Sequence, residues 1–388
     1  MNFEFAAPTR IIFGEGRVND VPKLVSGMGS RVLVVEGASG RAERLVGQLR
    51  DRGLSVSTVK VTSEPTVALV EQGTALAKRE GCAVVISLGG GSVIDAGKAI
   101  AALITNDPPV RDYLEVIGNG RPLINRPVPF IAVPTTAGTG AEVTRNAVLM
   151  AEDERVKVSL RSALMLPAIA LIDPELTYSL PPDVTASTGL DALTQCIEPF
   201  VSPNANPLSD AVAREGMRRA APSLRRAFDD GSDQQARQDM AVASLCGGLA
   251  LANAKLGAVH GFASPLGGMF PIPHGVACAR LLAPVARANV RALRARASSS
   301  VALDRYDEVA RVVTGASSAR AEEAVEWLEN LVNELRVPSL GTYGVRETDV
   351  DRVVAAAQVA SSMRGNPIVL GDDELGAVLR AAIGAPNV

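Results

Sequence analysis

The sequence predicts an α/β N-terminal domain with a parallel sheet, followed by an all-α C-terminal domain. Its first half alternates short, near-continuous apolar and β-branched runs with segments of helical spacing. Such runs are typical of strands that helices cover on both faces, as in a parallel sheet. After Pro181, Pro182 and Asp183 these runs stop, and Ala, Leu, Arg and Glu dominate. We therefore predict one domain over residues 1–183 and a second over residues 184–388.

The predicted strands are short segments rich in Val, Ile, Leu and Ala. They are residues 31–36, 82–88, 128–133 and 168–173. Helices are predicted between them over 40–53 and 67–81, where apolar residues recur at helical spacing. In the second half, loops are predicted near 201–207 and 231–233. The single tryptophan, Trp327, lies in a segment of helical spacing and is predicted to pack in the core.

Composition and charge argue against several classes of partner. Hydrophobic residues make up 47% of the chain and charged residues 21%, as in ordinary globular proteins. The 39 basic and 42 acidic residues are mixed along the chain and give a net charge of −3. We therefore expect no nucleic-acid partner and no anionic membrane partner. The densest basic run, residues 280–296, alternates with Ala, Leu and Val and is predicted to be the solvated face of helices.

Cysteine usage and hydropathy bear on the compartment. Cys82, Cys196, Cys246 and Cys278 are widely spaced and form no Cys-x-x-Cys motif. We recognise no signal peptide, and no run of about 18 apolar residues that predicts a transmembrane helix. These features predict a cytoplasmic protein with reduced thiols.

The two histidines of the chain, His260 and His274, lie in one Gly-rich stretch. Imidazole is the side chain best suited to bind a borderline metal or to move protons near neutral pH. Two histidines alone do not make a site, and hydrogen-bonded structural histidines explain the pair about equally well.

A glycine triplet follows the predicted strand at 82–88 and opens a helical segment that contains Ser92, Asp95 and Lys98. Glycines let a phosphate approach the backbone, and a helix N-terminus supplies N–H donors and positive potential. The pattern is neither the Rossmann nor the P-loop motif, so a plain Gly-rich turn between strand and helix is the alternative.

A threonine-rich loop follows the predicted strand at 128–133. It contains Thr135, Thr136, Thr139 and Thr144 with two glycines. Hydroxyl and amide donors without charge suit a ribose, a diphosphate or a nicotinamide amide. From composition alone, a loop that caps a helix is about equally consistent with this segment.

Acidic and amide side chains occur on one face of the first helix predicted in the second half. Asp191 and Gln195 are four residues apart, and Glu198 lies on the neighbouring part of the face. An acid on an otherwise apolar helix is costly to bury without a partner. Taken alone, these residues equally fit a pair on the helix surface.

These motifs, with others, resemble the iron-containing (group III) alcohol dehydrogenase family, a broad group that includes glycerol dehydrogenases and maleylacetate reductases. The matching segments occur in the family's order along nearly the whole chain, and the Pro-Thr-Thr-Ala-Gly-Thr-Gly loop and the His-x13-His-Gly spacing are specific. They cover residues 8–14, 89–98, 134–142, 157–161, 173–176, 191–193, 260–275 and 366–367. The resemblance implies a dinucleotide-binding N-terminal domain, a helical C-terminal domain, and a cleft between them that holds NAD(P)(H), a divalent metal and the substrate. It also implies a homodimer.

The resemblance assigns roles residue by residue. Gly90, Gly91 and Ser92 are expected to hold the pyrophosphate. Other parts of the cofactor are expected to contact Asp95, Thr135, Thr136, Thr139, Thr144 and Lys157. Asp191, His260 and His274 are expected to bind the metal and to form the catalytic centre.

This sequence departs from the family pattern at two positions near the expected metal. A family histidine that binds the metal is Gln195 here, and a further histidine four residues after the first of the late pair is Ser264. Three ligands plus an open position still form a usual catalytic zinc arrangement. Losing one imidazole is expected to weaken Fe(II) most and to leave Zn(II) or Mn(II) as alternatives. The expected metal is Fe or Zn, at a site whose occupancy the replacement by Gln195 leaves open. Gln195 is expected to add a weak amide-oxygen ligand or to hold a water.

A third departure concerns the choice of cofactor. The family's acid that bonds the ribose 2′-hydroxyl aligns with Gly37, beside Glu36. The following segment leaves room for a 2′-phosphate and contains the cation Arg41, which slightly favours NADP(H). Glu36 remains able to accept a hydrogen bond from a free 2′-hydroxyl, so NAD(H) stays open.

Three functions are consistent with these residues. The first is an NAD(P)-dependent alcohol dehydrogenase or aldehyde reductase in which a metal polarises the substrate oxygen. The second is a metal-free reductase of the maleylacetate type, acting on a keto acid with His260 or His274 as the proton donor. The third is a catalytically silent dinucleotide-binding protein, motivated by the two replaced histidines.

Overall fold

A computed structural model describes residues 2–154 and 156–384 and divides them into two units. We call the first the sheet unit; it comprises Ala6–Thr136 and Gly140–Thr177. The second, the helical unit, comprises the described residues from Tyr178 onward together with Ala137–Thr139 and residues 2–5. The division after Thr177 falls a few residues before the predicted boundary at residue 183. The three residues Ala137–Thr139 place part of the threonine-rich loop with the helical unit.

The sheet unit is built on a six-stranded, wholly parallel sheet with the strand order β1-β8-β5-β4-β2-β3. Its strands are β1 (Arg10–Phe13), β2 (Arg31–Gly37), β3 (Ser55–Val61), β4 (Val84–Gly89), β5 (Phe130–Pro134) and β8 (Ile169–Ile172). An antiparallel hairpin of β6 (Asn146–Ala151) and β7 (Val156–Arg161) is separate from this sheet. The helices are α1 (Val21–Val25), α2 (Glu43–Asp51), α3 (Val67–Arg79) and α4 (Gly91–Ile104).

The four predicted strands correspond to the four central strands β2, β4, β5 and β8. Their residues are almost entirely buried, which explains why the apolar runs were continuous. The prediction missed both edge strands, β1 and β3, and the hairpin. Edge strands and hairpins expose one side to water and therefore alternate or mix polar and apolar residues, as β3 and β6 do. The predicted helices at 40–53 and 67–81 correspond to α2 and α3.

The helical unit contains no strand among its described residues, which agrees with the predicted all-α second half. Its helices are α5 (Pro182–Val201), α6 (Pro207–Asp229), α7 (Gln234–Ala254), α8 (Ala258–Met269), α9 (His274–Arg296), α10 (Val301–Thr314), α11 (Ala321–Glu334), α12 (Val350–Val359) and α13 (Asp372–Ile383). The two predicted loops fall between α5 and α6 and between α6 and α7. Trp327 packs half-buried against the core of this unit, with the Arg225 guanidinium 5.8 Å from its ring centroid.

The basic run on α9 is only partly solvated. Arg291, Arg294 and Arg296 are exposed, whereas Arg280 and Arg287 are half-buried. Within the described residues, no single helix has the length and hydropathy needed to cross a bilayer; α7 and α8 reach those limits only as a pair bent by 100°.

Candidate functional site

Four side chains from three helices of the helical unit converge on one point. They are Asp191 on α5, His260 on α8, and His274 and Cys278 on α9. One ligand atom from each lies within 4.8 Å of the others. Asp191 Oδ1 is 3.3 Å from His260 Nε2 and 3.9 Å from His274 Nε2. We call this group the Asp-His-His-Cys cluster.

The helices approach closely at this point because glycines remove side chains from their contact surfaces. A Cβ at Gly275, directly after His274, would lie 2.6 Å from the Ser187 carbonyl oxygen on α5. A Cβ at Gly189 would lie 2.2 Å from Leu224 Cδ1 on α6. Both distances are far below ordinary contact. The glycine of the His-Gly dipeptide therefore lets the first turn of α9 lie against α5, beside Asp191.

Glu198 orients His260. The His260 Nδ1 group donates to Glu198 Oε2 at 2.7 Å, and Glu198 Oε1 accepts from the Val259 N–H at 2.7 Å. A carboxylate bound to one ring nitrogen fixes the tautomer and leaves the other nitrogen free to bind a metal. Here that other nitrogen, Nε2, faces Asp191 and Cys278. Helical spacing predicted Glu198 to lie near the helix face of Asp191, but it predicted no role for Glu198.

The charges of the cluster are mutually dependent. Burial by itself would raise the pKa of Asp191, but His274 and His260 hold the pKa of this carboxyl below its ordinary value. Burial opposes protonation of His260, yet Cys278, Asp191 and Glu198 together keep the pKa of the imidazole well above its ordinary value. Burial raises the pKa of the Cys278 thiol to about 12. The cluster thus combines a buried carboxylate with two imidazoles and a thiol.

The donor set fits a divalent cation. Asp191 Oδ1 is buried and has no hydrogen-bond partner of acceptable geometry among the described residues, although His260 Nε2 lies 3.3 Å away. The buried carboxylate faces two imidazole nitrogens, and a cation held by the four converging atoms would satisfy the oxygen that they leave without a hydrogen bond. Carboxylate, imidazole and thiolate are all ligands of Zn(II). Cys278 was predicted only as a reduced thiol, although its position one helical turn after His274 is the signal that could have identified it as a ligand.

Gln195 and Ser264 occupy the positions of the replaced histidines. Gln195 is only 2% exposed, and its Oε1 has no hydrogen-bond partner among the described residues. Ser264 lies one turn after His260 on α8 and is half-buried. Metal ligation by Gln195 stays a prediction.

In the sheet unit, the predicted pyrophosphate residues form the turn between β4 and α4. Gly90 precedes the first residue of α4, and no side chain caps the helix there. A Cβ at Gly97 would lie 2.0 Å from Ser87 Oγ, so this glycine lets α4 pack directly on β4. The first N–H groups of the helix, at Gly91 and Ser92, are those that a phosphate would use.

The threonine-rich loop begins at the carboxyl end of the adjacent strand, β5. The Thr135 N–H donates to the Gly89 carbonyl at 2.9 Å. Thr136 lies beside the turn, because a Cβ at Gly90 would lie 3.7 Å from Thr136 Oγ1. The structure therefore brings together Gly90, Thr135 and Thr136, and Thr139 belongs to the helical unit. Their contacts with a cofactor stay predictions.

Lys98 fixes the far end of this loop from inside the sheet unit. Its fully buried ammonium donates to the carbonyl oxygens of Ala141, Thr144 and Asn146 and to Thr144 Oγ1, at 2.7–3.0 Å. Burial lowers the pKa of Lys98 to about 8, although Asp95 and Glu142 oppose the effect. Lys98 lies within the glycine motif, but no function was predicted for it from the sequence.

Three predicted cofactor residues have partners within the protein. Asp95 Oδ2 accepts from the Val148 N–H at 3.1 Å, and burial raises the pKa of this carboxyl to about 6. Thr144 is bound to Lys98, as described above. Lys157 Nζ lies 2.8 Å from Glu64 Oε1. Direct cofactor contacts of these three side chains stay predictions, and their observed role is to hold the loop and the hairpin in place.

Gly37 ends β2 and lies in ordinary contact with α4, since a Cβ there would be 3.7 Å from Val93 Cγ2. Glu36, next to it, is buried. Arg41 Nη1 donates to the Leu176 carbonyl at 3.3 Å. This bond uses one of the guanidinium N–H groups that were predicted to face a 2′-phosphate, and the preference for NADP(H) stays a prediction.

Comparison with families of known proteins gives two matches. Residues 8–174 match the family model "Iron-containing alcohol dehydrogenase". Residues 185–383 match the model "Fe-containing alcohol dehydrogenase family, C-terminal". Together the two models span both units.

Individual proteins are similar over almost the whole chain. Alcohol dehydrogenase 4 of Schizosaccharomyces pombe is 36% identical over 98% of this chain and 89% of its own length. A crystal structure of 1,3-propanediol oxidoreductase is 34% identical and superposes with a TM-score of 0.90, over 98% of this chain and all of that one. Sulfoacetaldehyde reductase from Bifidobacterium kashiwanohense, solved in complex with NAD+, is 30% identical with a TM-score of 0.85 over 99% of both chains.

Proposed function

Because this chain belongs to the iron-containing alcohol dehydrogenase family, we propose that it is an NAD(P)-dependent alcohol dehydrogenase, or aldehyde reductase, with a divalent metal at its centre. The family makes it an oxidoreductase that acts on CH–OH groups. The cofactor, the metal and a small alcohol or aldehyde as substrate are the proposed part.

One observation supports the metal: Asp191 Oδ1 is buried without a hydrogen bond from the described residues, and two imidazoles and a thiol converge on it. Asp191, His260 and His274 would hold the ion, which when bound supplies a Lewis acid that polarises the C–O bond. Glu198 keeps the Nε2 lone pair of His260 directed at this point. Asp191 supplies the negative charge that favours a cation there.

The turn between β4 and α4 is the feature that favours a dinucleotide cofactor. Gly90, Gly91 and Ser92 offer backbone N–H groups at an uncapped helix N-terminus, which suits a pyrophosphate. NAD(P), when bound, accepts or delivers the hydride. A relative of similar structure was solved with NAD+. We leave NAD(H) and NADP(H) both within the proposal, because Gly37 carries no carboxylate and Glu36 lies beside it.

The proposal is tested by metal content and turnover on the same preparation. We expect about one Zn, Fe, Mn or Ni per chain in protein purified without chelator, and reduction of short aldehydes by NADH or NADPH. Asp191→Asn removes the charge at constant shape and is expected to lose the metal. Its turnover should fall by at least about 10²-fold, because a Lewis acid contributes several kcal/mol.

Asp307→Asn is the matched control. Asp307 is also a buried carboxylate of the helical unit, but it binds Arg320 and the Ala321 N–H, outside the cluster. It should retain metal and turnover. Full activity in Asp191→Asn would contradict the proposed metal role.

A second candidate is the metal-free reductase acting on a keto acid. Gln195 in place of a family histidine favours it, together with His274, whose side chain is 36% exposed and adjacent to Asp191. In that case His274 would donate the proton. Turnover of a keto acid that is unchanged by EDTA, in protein without bound metal, would select this candidate.

We also propose a cytoplasmic homodimer, as the family resemblance and the four cysteines suggest. All four cysteines are free thiols and buried. Light scattering of the purified protein should give the mass of two chains; the mass of one chain would contradict the dimer.

A further inference from the structure

We infer that Cys278 Sγ is a metal ligand that takes the place of the lost histidine, and that it makes the site select a thiophilic metal such as Zn(II). This inference rests on the proposed function, because it requires the metal at Asp191, His260 and His274. It adds a ligand that neither the family pattern nor the sequence assigned.

Three distances within the cluster match the edges of a coordination tetrahedron, and a fourth, from Asp191 Oδ1 to His274 Nε2, is longer at 3.9 Å. Ligand atoms around a tetrahedral Zn(II) are about 3.3 Å apart for nitrogen and oxygen and about 3.6 Å apart for sulfur and nitrogen, from the usual bond lengths. Cys278 Sγ lies 3.7 Å from His260 Nε2 and 3.6 Å from His274 Nε2. Asp191 Oδ1 lies 3.3 Å from His260 Nε2.

Hydrogen bonds among the described residues do not satisfy every atom of the cluster. The Nδ1–H of His260 donates to Glu198, so its Nε2 can bind a metal when the ring is neutral and carries a second proton when the ring is charged. The single S–H proton of Cys278 can bond to one of the two imidazole nitrogens, not to both. Asp191 Oδ1 still lacks a partner of acceptable geometry. A single cation would satisfy all four atoms together.

The helix α9 supplies two ligands from one face. His274 and Cys278 are four residues apart and therefore lie one turn above each other. Gly275 holds this turn against α5, where Asp191 lies, so Cys278 is fully buried beside the carboxylate. The side chain is placed by the backbone packing of three helices.

A thiolate changes which metal the site prefers. Soft thiolate ligands select Zn(II) over harder ions such as Mn(II) and Mg(II). Binding replaces the thiol proton with the metal, and that proton leaves to solvent: M²⁺ plus Cys-SH gives the metal thiolate and H⁺. No oxidant or reductant is involved.

X-ray absorption of the zinc-loaded native protein tests the ligand directly. We expect one sulfur at about 2.3 Å together with nitrogen and oxygen ligands at about 2.0–2.1 Å. Metal-free protein titrated with Co(II) should show a thiolate-to-cobalt charge-transfer band. Cys278→Ser should keep a cobalt site but lose that band.

Affinity gives a second readout. Loss of an outer-shell partner already lowers metal affinity about 10–100-fold, so Cys278→Ser should weaken Zn(II) by more than about tenfold and Mn(II) much less. Cys246→Ser is the matched control, because Cys246 is a buried cysteine of the same unit outside the cluster. It should change neither the band nor the affinity.

The outcomes separate the two proposals. Metal bound by nitrogen and oxygen only, with unchanged affinity in Cys278→Ser, would overturn the role of Cys278 and leave the proposed function intact. A native protein that binds neither zinc nor cobalt would overturn both. The absorption measurement uses the native chain, so a variant that fails to fold does not prevent the test.

Discussion

At the scale of single residues, neighbouring groups restrict the orientation and the tautomer of the His260 side chain in the cluster. Glu198 ties one nitrogen of His260, and Asp191 faces the other, so the imidazole is fixed in orientation and tautomer. Glu198 itself is held by the Val259 N–H. A ligand oriented in this way loses little entropy when a metal binds.

Replacing Glu198 by Gln should therefore weaken metal binding without removing a ligand. The amide can still accept from the Val259 N–H, but its NH₂ group would face His260 Nδ1 and favour the wrong tautomer. We expect zinc affinity to fall about 10–100-fold, measured by competition with a chromophoric chelator. Glu215→Gln, which alters an arginine-paired acid on α6, serves as the control. Equal affinity in both variants would remove Glu198 from this role.

At the scale of elements, packing contacts place the loops and the ligands. Helix α4 carries Lys98, whose ammonium is bound to three carbonyl oxygens and one hydroxyl at the far end of the threonine-rich loop. Helix α9 is held against α5 by the absence of a side chain at Gly275. Each contact fixes the position of a whole segment, so a substitution at either residue should displace that segment.

Lys98→Met should destabilise the sheet unit and loosen the threonine-rich loop. The substitution leaves buried oxygens without donors, at about 1–3 kcal/mol for each group that stays unsatisfied. We expect a loss of at least about 3 kcal/mol in the free energy of unfolding, and a higher KM for the cofactor. Lys78→Met, at an exposed lysine that donates one bond to Asn106, should change stability by less than about 1 kcal/mol. Urea denaturation measures both.

Gly275→Ala should move α9 away from α5. The added Cβ would lie 2.6 Å from the Ser187 carbonyl oxygen, so the helix must shift and carry His274 and Cys278 with it. We expect both a lower unfolding temperature and weaker zinc binding. The control is Gly47→Ala on α2, where no atom lies within 4 Å of the new Cβ. That change should stabilise the protein by up to about 1 kcal/mol. An unshifted zinc affinity in Gly275→Ala would show that this contact does not position the ligands.

At the scale of the whole molecule, the two units contribute different chemistry. The sheet unit contains the turn and most of the loop that suit a dinucleotide, and the helical unit contains the Asp-His-His-Cys cluster. Since a ligand stabilises the state that binds it, a metal should stabilise the folded helical unit.

Zinc at a concentration of 100 times its dissociation constant should stabilise the native protein by about 2.7 kcal/mol. For a domain of about 200 residues this corresponds to a rise of roughly 5–10 °C in unfolding temperature. Differential scanning calorimetry of metal-free and zinc-loaded protein checks this. Asp191→Asn should show no rise. A similar rise in that variant would mean that zinc binds elsewhere.

The amino-acid sequence by itself determined the local features. The central strands were readable because burial on both faces requires uninterrupted apolar runs, and the helical second half because such runs stop after Asp183. His260 and His274 were singled out by residue type, and the resemblance to the family assigned the metal to them and to Asp191. The edge strands β1 and β3 were missed because exposure to water erases that signal.

Only the tertiary structure decided which side chains meet. Glu198 and Lys98 have no distinctive sequence pattern of their own, and Cys278 has only its spacing of one helical turn from His274. The roles of Cys278, Glu198 and Lys98 arise from contacts with residues 18, 62 and 46 positions away in the chain. Such proximity depends on how helices cross and on where glycines let them approach, which periodicity along one segment does not encode. The sequence therefore indicated which kind of chemistry to expect, and the packing of α5, α8 and α9 determined which side chains form the site.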